Sequence, residues 1–405
     1  MSTGLLEGSS TTETPPAPAT VGRRPRLPMG DREVLWLYLL TRLALWLLAY
    51  CARWLFPANG GATSPAPLLS PFERWDWNHY LDIARDGYFP GRSGPWQATW
   101  DHREAFFPGF PLTLRAVHLV VPNWTAAGLL VSFLAGGVAV LSLARIARAQ
   151  LPGREDDPGH RAVLFLLLSP CAVFLALGYT EALFLALALP AWLAAQRQDW
   201  SLASTLAALA VTVRASGLFL VAAIALHFAL SRRAAATPDR WRGLAWLALP
   251  ALPVYVHCWY LHSHTGDWSA WVHAQERGWH REFHSPWEAW SNTWQTAFDH
   301  GQSISFAAAF QAELLAMLAG LAVLVVLLMK RRWAESLYIA LNLWALGTSY
   351  WYMSVPRATL LWWPLWILLA ERCRSGSRLP SAYLALVAPL STVFALTFLS
   401  GRWIG

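Results

Sequence analysis

Long apolar segments recur along the chain and are separated by polar or basic stretches. They lie at residues 34–55, 125–144, 162–178, 180–196, 200–213, 216–230, 244–261, 306–329, 336–353, 358–370 and 381–399. A helix needs about 20 predominantly apolar residues to cross the ~30 Å hydrocarbon core of a bilayer. The pattern therefore predicts an all-α polytopic membrane protein with about 11 transmembrane helices.

One further apolar stretch, residues 106–121, is too short to be counted as a span. It contains Pro108, Pro111 and Arg115, and as a helix it would extend only ~24 Å. We interpret it as an interfacial helix, which lies along the membrane surface instead of crossing the bilayer. It then belongs to a long polar loop, residues 56–124.

The composition excludes an ordinary soluble enzyme. Hydrophobic residues make up 56% of the chain and charged residues 14%, against about 25% charged residues in typical soluble domains. The four cysteines are scattered singly, so they indicate neither a disulfide framework nor a zinc site. The sequence has no Walker loop and no GxGxxG following a predicted strand. We therefore expect no nucleotide cofactor and no metal.

The basic residues predict the orientation of the chain. With 106–121 outside the spans, 19 of the 31 basic residues fall in loops on one side. These residues are Arg23, Arg24, Arg26, Arg32, Arg145, Arg148, Arg154, Arg161, Arg197, Arg232, Arg233, Arg240, Arg242, Lys330, Arg331, Arg332, Arg372, Arg374 and Arg378. The positive-inside rule assigns this side to the cytoplasm. Topology thus explains the net charge of +7, and no nucleic-acid partner is implied.

The same topology divides the chain into regions. Residues 1–33 are rich in Ser, Thr, Pro and Gly and are predicted to form a disordered cytoplasmic tail, followed by one transmembrane domain, residues 34–405. Loops 56–124 and 262–305 lie outside and hold most of the Asp, Glu and His residues. Loops of this length are usually functional, so we expect the active site on the extracytoplasmic face.

The first outer loop carries a helical pattern. Apolar residues recur there at spacings of three and four, at Trp77, Tyr80, Leu81 and Ala84. This spacing predicts an amphipathic interfacial helix that starts at Asp76 and stops at Gly87. The carboxylate at the start has two interpretations, namely a helix cap favoured by the helix dipole or a catalytic group.

Short motifs occur in a fixed order at the predicted outer ends of helices. They are Arg74-Trp75-Asp76, Ile83-Ala84, Gly87-Tyr88, Glu104-Ala105-Phe106-Phe107-Pro108 with Pro111, Ser169-Pro170, Gly178-Tyr179-Thr180-Glu181-Ala182-Leu183-Phe184, Arg214-Ala215-Ser216-Gly217, Gly266-Asp267 with Gln275, and Ser354-Val355-Pro356-Arg357. Over about residues 34–370 this set resembles the GPI mannosyltransferase 2 (PIG-V) family of GT-C glycosyltransferases. The resemblance implies a GT-C-like fold with interfacial helices in the first outer loop and a lipid-phosphate sugar as donor. Trp77 and Ala215 depart from the family pattern.

The chemistry of such a transfer assigns roles to three residues. A carboxylate must accept the proton of the acceptor hydroxyl, and we predict Asp76 as this base in an inverting displacement. Cations must stabilise the departing phosphate, and Arg214 and Arg357 are the predicted donor phosphate-binding residues. For both arginines the alternative is an interaction with lipid headgroups.

Five further residues are predicted to bind or orient substrate: Arg74, His79, Glu104, Glu181 and Gln275. Glu181 orders the site, binds the acceptor or acts as a helix N-terminal carboxylate. Glu104 either orients Asp76 or a sugar hydroxyl or stays solvated. Gln275 is a sugar-binding candidate through the resemblance alone.

The second outer loop is rich in His and Trp. His280 and His284 are four residues apart, which would place them on one face of a helix, but no acidic partner completes a metal motif. The Trp residues are explained by aromatic belts at the membrane interface or by stacking on sugars.

Taken together, the sequence predicts an integral membrane mannosyltransferase. It would move mannose from a polyprenyl-phosphate carrier to a glycan or glycolipid acceptor at the outer membrane face. Two alternatives stay open: transfer of another lipid-linked sugar, such as glucose or a pentose, and a non-enzymatic transporter. A transporter would place ionisable groups near the middle of the membrane in broken helices.

Overall fold

The computed structural model describes residues 1, 29–56, 67–92, 94–97, 100–154, 156–231, 239–299, 301–373 and 378–403. These residues form helices, turns and irregular segments, with no strand among them, and several helices are long and apolar. The all-α polytopic membrane class is therefore confirmed. Most of the predicted tail, residues 2–28, lies outside the described residues, and the first helix begins at Met29.

The α-helices follow one another in chain order. The first group comprises α1 Met29–Leu55, α2 Asp76–Asp86, α3 Gly109–His118, α4 Trp124–Gln150, α5 Pro158–Leu167, α6 Thr180–Gln196, α7 Trp200–Val213 and α8 Ser216–Leu230. The second group comprises α9 Asp239–Ala248, α10 Ala251–Thr265, α11 Ala270–Trp279, α12 Pro286–Phe298, α13 Ile304–Met329, α14 Trp333–Gly347, α15 Val355–Ala358, α16 Trp363–Arg372 and α17 Leu379–Leu399. Short 3-10 helices occur at Ser70–Phe72, Arg103–Ala105, Ala172–Leu175 and Thr359–Leu361.

Five helices in the described chain are long and apolar enough to cross a membrane. They are Gly30–Leu55, Trp124–Gln150, Ile304–Met329, Leu379–Leu399 and Gly243–Thr265, the last of which joins the end of α9 to α10. Three shorter apolar helices are Thr180–Gln196, Trp200–Val213 and Ser216–Leu230. At 1.5 Å per residue these three extend only about 21–26 Å, less than the hydrocarbon thickness. A helix lies in each of the predicted apolar segments, but length alone supports five full spans.

Proline explains two of the differences from the predicted spans. The predicted span 162–178 is helical only as far as Leu167, and a 3-10 helix follows Pro170 at Ala172–Leu175. In the predicted span 358–370 the helix α16 begins at Trp363 with Pro364 in its first turn. Proline lacks the N–H that a continuing helix needs, and at these two positions it coincides with a helix boundary. Helices α6 and α17, by contrast, continue through Pro190 and Pro389.

The predicted interfacial stretch 106–121 contains a short helix, α3, of 10 residues. This helix covers only about 15 Å and packs against α2, α4 and α7. Beyond its end, Leu119 and Val120 are strongly exposed, at 85% and 84%. The expectation that this stretch is too short to span a bilayer is therefore confirmed, and its place at the interface stays a prediction.

Helix α6 packs against α4, α7 and α8 and occupies the interior of the molecule. Small buried residues allow this close approach: Ala182, Ala188, Ala191 and Ala195 on α6, and Ala203, Ala207 and Ala210 on α7. Membrane helices that pack tightly characteristically use small residues at their interfaces. Glu181, in the first turn of α6, therefore lies inside the bundle near one of its ends and has no exposed surface.

At the end of the bundle away from Glu181, basic residues connect neighbouring helices. Arg148 at the end of α4 binds Asp31 in α1 and Asp157 before α5. Gln196 at the end of α6 lines a cavity of about 530 Å³ together with Lys330 and Arg332. Arg148, Lys330 and Arg332 thus lie at the helix ends that the charge pattern assigns to the cytoplasm.

Candidate functional site

A cavity of about 460 Å³ opens at the end of the bundle that contains Glu181. Its wall is formed by the first loop, the α7–α8 turn, α11 and the segment that leads into α15. The charged residues that line it are Asp76, Arg214, Glu276, Arg281 and Arg357. Volumes of 300–1,000 Å³ are typical of small-molecule sites, so this cavity is large enough for a sugar and a phosphate.

Two of the arginines and two carboxylates form a continuous chain of ion pairs. Arg357 donates from Nη1 to Oδ2 of Asp76 at 2.7 Å and from Nε to Oε1 of Glu181 at 2.5 Å. Arg214 donates from Nη1 to the same Oε1 at 2.7 Å and to Oγ1 of Thr180 at 2.6 Å. The structure therefore brings together Asp76, Glu181, Arg214 and Arg357, four residues that the sequence singled out separately.

Asp76 begins α2, and the predicted amphipathic helix is confirmed. α2 spans Asp76–Asp86 and is capped at its C-terminus by Gly87 in a left-handed conformation, with φ of 81°. Its buried face contains Trp77 and Tyr80. The N-terminus of α2 and the Arg357 guanidinium both place positive charge beside the carboxylate of Asp76.

The turn before α2 has an unusual backbone conformation. Trp75 has φ of 52° and ψ of −121°, a region that L-residues rarely occupy. The N–H of Trp77 closes this turn by donating to the carbonyl of Arg74 at 3.1 Å. The indole of Trp75 is 46% exposed and lines the cavity beside Asp76. Conformational strain of this kind tends to occur at functional sites.

Trp77 anchors α2 to the bundle. A Cβ at Gly128 in α4 would lie 2.5 Å from the Trp77 ring, and one at Gly178 would lie 2.4 Å from it. The Trp77 indole is 1% exposed, so it fills a slot that only these glycines leave open. The large side chain at position 77 thus fits against two glycines on the facing elements.

Arg214 is placed by the tight turn between α7 and α8. The N–H of Gly217 donates to the carbonyl of Arg214 at 2.9 Å. A Cβ at Gly217 would lie 2.6 Å from backbone atoms of Val211, so the turn closes only with glycine at this position. The Arg214 side chain is 25% exposed and faces the cavity.

The position of Arg357 depends on the carboxylate of Glu313 in α13. Oε1 and Oε2 of Glu313 accept from the N–H groups of Ser354 and Val355 at 2.8 and 2.7 Å. Ser354 has φ of 66°, and the turn delivers Arg357 into the interior. Its guanidinium lies over the ring of Tyr179, 4.8 Å from the ring centroid, a favourable cation–π contact.

Glu104 and Gln275 lie on one side of the cavity. Glu104 is 2% exposed and its ion pair in the described chain is with Arg277, at 3.3 Å. The solvated alternative is therefore wrong, because burial and this arginine hold the Glu104 side chain in place. Gln275 lines the cavity and donates to the carbonyl of Ala105 at 2.9 Å.

Arg74 and His79 lie behind the cavity wall. The carbonyl of Arg74 accepts from the Tyr179 hydroxyl at 2.6 Å, while its side-chain Nε is buried with no hydrogen-bond partner in the described chain. His79 stacks on Phe106 with ring centroids 4.8 Å apart, and Phe106 lines the cavity. Both residues support the wall; as substrate-contacting residues they stay predictions.

The histidines of the second loop do not share a helix face. His280 is the C-cap of α11, and His284 lies in the irregular segment that precedes α12, so the expected helical pairing at a spacing of four is wrong. Nearby, His262 stacks on Trp268 and His264 stacks on Phe89. No group of three or more His, Cys, Asp and Glu residues with metal-binding geometry occurs in the described ranges.

Three charged residues of this region were missed from the sequence: Glu276, Arg281 and Glu313. Arg281 and Glu276 line the cavity, and Glu313 shapes the turn that carries Arg357. A carboxylate in the middle of the apolar segment 306–329 was the available signal for Glu313, because such groups are rare in spans unless functional or paired. Arg281 lies in a loop without a motif, and its position had no comparable signal.

Long apolar helices around a charged cavity define an integral membrane protein with a polar site at one end of its bundle. Residues 66–234 match the family described as mannosyltransferase (PIG-V). The chain is 34% identical over 181 residues to GPI alpha-1,6-mannosyltransferase 2 of Mus musculus, a match that covers 42% of this chain and 34% of the mouse protein. It is 38% identical over 162 residues to the Rattus norvegicus protein of the same name, covering 37% and 30% of the two chains.

The chain is therefore similar to the PIG-V family over residues 66–234. The matched segments span about a third of the length of the curated relatives. The family match contains Asp76, Glu181 and Arg214, whereas Arg281 and Arg357 lie beyond it. The resemblance read from the sequence, over about residues 34–370, is thus borne out for its first half.

Proposed function

We propose that this protein is a mannosyltransferase that moves mannose from a polyprenyl-phosphate carrier to an acceptor hydroxyl. The observation that carries the proposal is the ion-pair chain Asp76–Arg357–Glu181–Arg214 at the wall of a cavity large enough for a sugar phosphate. The family match, which includes Asp76, Glu181 and Arg214, supports mannose as the sugar.

In the proposed reaction the acceptor oxygen attacks C1 of the mannosyl group while the bond from C1 to the phosphate oxygen breaks. The hydroxyl proton passes to Asp76, and the lipid phosphate leaves with the bonding electrons. One displacement of this kind inverts the configuration at C1. Oδ2 of Asp76 binds Arg357, and Oδ1 has no hydrogen bond in the described chain, so Oδ1 is the proposed proton acceptor.

Arg214 and Arg357, the two arginines of the ion-pair chain, keep N–H donors that are available to the phosphate. Arg214 binds its partners through Nη1, and Arg357 uses Nε and Nη1. The remaining N–H groups are free, within the described residues, to donate to phosphate oxygens as negative charge develops on the leaving group. Glu181 fixes both guanidinium groups and so orders the site.

The extracytoplasmic face is the proposed side for this chemistry. The cavity lies at the α6 end that bears Glu181, while Gln196 at the other end lines a cavity with Lys330 and Arg332. Because clusters of basic residues mark the cytoplasmic side, the ion-pair chain would face outward. A polyprenyl-phosphate donor and a glycan or glycolipid acceptor would both enter from the outer leaflet.

The ion-pair chain also favours an enzyme over a transporter. It lies at helix ends and in loops, whereas a transporter site would lie near the middle of the membrane, in broken helices. A transferase of glucose or a pentose would use the same arrangement, since no contact at the cavity is selective for mannose on its geometry alone.

The proposal is tested with purified protein in lipid nanodiscs and radiolabelled polyprenyl-phosphate-mannose, polyprenyl-phosphate-glucose and a nucleotide-linked mannose as donors. Transfer to a panel of glycan and glycolipid acceptors is measured. We expect transfer from polyprenyl-phosphate-mannose alone, reduced by a factor of about 10²–10⁴ in Asp76→Asn. Asp86→Asn, at the exposed end of the same helix, removes the same charge and is expected to keep full activity.

The outcomes distinguish between the competing hypotheses about the function. Transfer of glucose but not mannose would replace the sugar and keep the mechanism. Undiminished transfer in Asp76→Asn would show that another group is the base. Solute flux through proteoliposomes with no transfer from any donor would establish the transporter.

A further inference from the structure

Charge pairing in the cavity leaves one arginine without a partner. Arg214 and Arg357 are balanced by Glu181 and Asp76 within the ion-pair chain. Arg281 lines the same cavity, and within the described residues its guanidinium group has no hydrogen bond and no ion pair. Glu276 lines the cavity as well, and the structure records no ion pair between it and Arg281.

The backbone around Arg281 is braced on both sides. The carbonyl of His280 accepts from the N–H of Tyr350 at 3.3 Å, and the N–H of His284 donates to the carbonyl of Thr348 at 2.8 Å. The N–H of Arg281 itself donates to the carbonyl of Gln275 at 3.4 Å. These hydrogen bonds tie the loop to α11 and to the end of α14, so the backbone that carries Arg281 is already ordered at the cavity. Preorganisation of this kind lowers the entropy cost of ligand binding.

The carboxylates near Arg281 are not paired with it in the described chain. Burial and then the like charge of Arg214 lower the pKa of the Arg281 guanidinium from its ordinary value. Glu313 and Asp76 act in the opposite direction. However, Glu313 already accepts two backbone N–H groups, and Asp76 is bound to Arg357. An arginine held in this way gains most from an anion that enters the cavity.

We propose that Arg281 directly binds the phosphate of the lipid-linked donor. This inference rests on the proposed function and deepens it. Arg281 adds positive charge for the phosphate, which Arg214 and Arg357 cannot fully supply because they also bind Glu181 and Asp76. A guanidinium group presents paired N–H donors that match two phosphate oxygens. Arg281 reaches the cavity from the second outer loop and Asp76 from the first, so the donor phosphate would lie where the two loops line the cavity.

Binding is measured first, without any chemistry. The probe is polyprenyl phosphate, which lacks the sugar, titrated into wild-type protein in nanodiscs of neutral lipid. We expect Arg281→Gln to weaken binding about tenfold or more and Arg281→Lys to weaken it less, since lysine keeps the charge but loses the paired donors. Replacing the neutral lipid by an anionic phospholipid is expected to leave wild-type binding nearly unchanged, because the site selects the polyprenyl phosphate.

Two matched controls isolate the position of the charge. Arg85→Gln removes the same charge from an exposed outer-loop site outside the cavity and is expected to leave the affinity unchanged. Glu276→Gln removes a negative charge from the cavity wall and is expected to keep or tighten binding. In the transfer assay, Arg281→Gln is expected to raise the KM for the donor about tenfold and to leave the KM for the acceptor unchanged.

Thermal stability separates ligand binding from a structural role. Because Arg281 has no partner in the described chain, Arg281→Gln is expected to melt at the wild-type temperature or above it. A variant that loses binding and also melts several degrees lower would show a structural role and overturn the inference. Wild-type binding and transfer together with full affinity in Arg281→Gln would overturn the inference and leave the proposed function standing. No binding and no transfer in the wild-type protein would refute both.

Discussion

Arg357 and Asp76, 281 positions apart in the chain, are joined by a hydrogen bond of 2.7 Å. The same guanidinium group also binds the fully buried Glu181. One arginine therefore holds two carboxylates from different elements, α2 and α6, in a fixed relation. The position of the proposed base depends on a residue near the other end of the sequence.

This relation predicts how Arg357 and Glu181 couple. Arg357→Gln is expected to destabilise the protein by roughly 3 kcal/mol, because it leaves buried Glu181 with Arg214 as its remaining cation. Glu181→Gln in addition is expected to restore part of this loss, since the uncompensated carboxylate is gone. Melting temperatures of the two single variants and the double variant measure the coupling, and strictly additive losses would contradict it.

The backbone conformation of Trp75 predicts that glycine at this position gives a more stable protein than alanine, the reverse of the usual order. Glycine normally destabilises relative to alanine by about 0.5–1 kcal/mol, but the φ and ψ of Trp75 suit glycine and strain alanine. We therefore expect Trp75→Gly to be more stable than Trp75→Ala by about 1 kcal/mol, as measured by thermal melting. Both variants lose the same indole, so packing does not enter the comparison. Equal stability would show that the turn relaxes at no cost.

Gly128 predicts a clash that a second substitution relieves. Gly→Ala inside a helix ordinarily stabilises, yet a Cβ at Gly128 would meet the Trp77 ring at 2.5 Å. Gly128→Ala is expected to cost about 1–3 kcal/mol and to lower transfer by displacing α2. Trp77→Leu in the same protein is expected to recover part of both, which parallel measurements of melting and activity would show. Gly137→Ala, with no neighbour closer than 4.0 Å, is the matched control.

His79 predicts a dependence of stability on pH. Burial lowers the pKa of this imidazole from its ordinary value of 6.5, and neighbouring Asp76 only partly offsets the effect. The unfolded chain then binds a proton more readily than the folded one, so stability falls as the pH drops through 6.5 towards the folded-state pKa. The melting temperature of wild-type protein is expected to fall more between pH 7.5 and 5.5 than that of His79→Phe, which keeps the stacked ring. An equal fall would rule out this histidine as the cause.

The sequence predicted elements well where the signal was local. The helix that starts at Asp76 and ends at Gly87 follows from the spacing of its apolar residues, and α3 follows from its short apolar run. The predicted spans that contain Pro170 or Pro364 are longer than the helices found there, because hydropathy does not register a missing N–H donor.

The site was predicted in its parts but not in its assembly. Asp76, Glu181, Arg214 and Arg357 were each marked by type and place, but their pairing is a long-range contact that no local pattern encodes. Glu313 lies within the predicted apolar segment 306–329, and nothing local shows that it organises the turn before Arg357. Arg281 could be recognised only after the partners of the other two arginines were known.

The long separation along the chain has a consequence for biosynthesis. Arg214 follows Glu181 by 33 residues, but Arg357 follows it by 176. At the ~5–20 residues per second of translation, Glu181 waits roughly 10–35 seconds for its second cation, with Arg214 as its earlier partner. A nascent chain interrupted between residues 214 and 357 would carry Glu181 with only one of its two arginines and Asp76 without its cation.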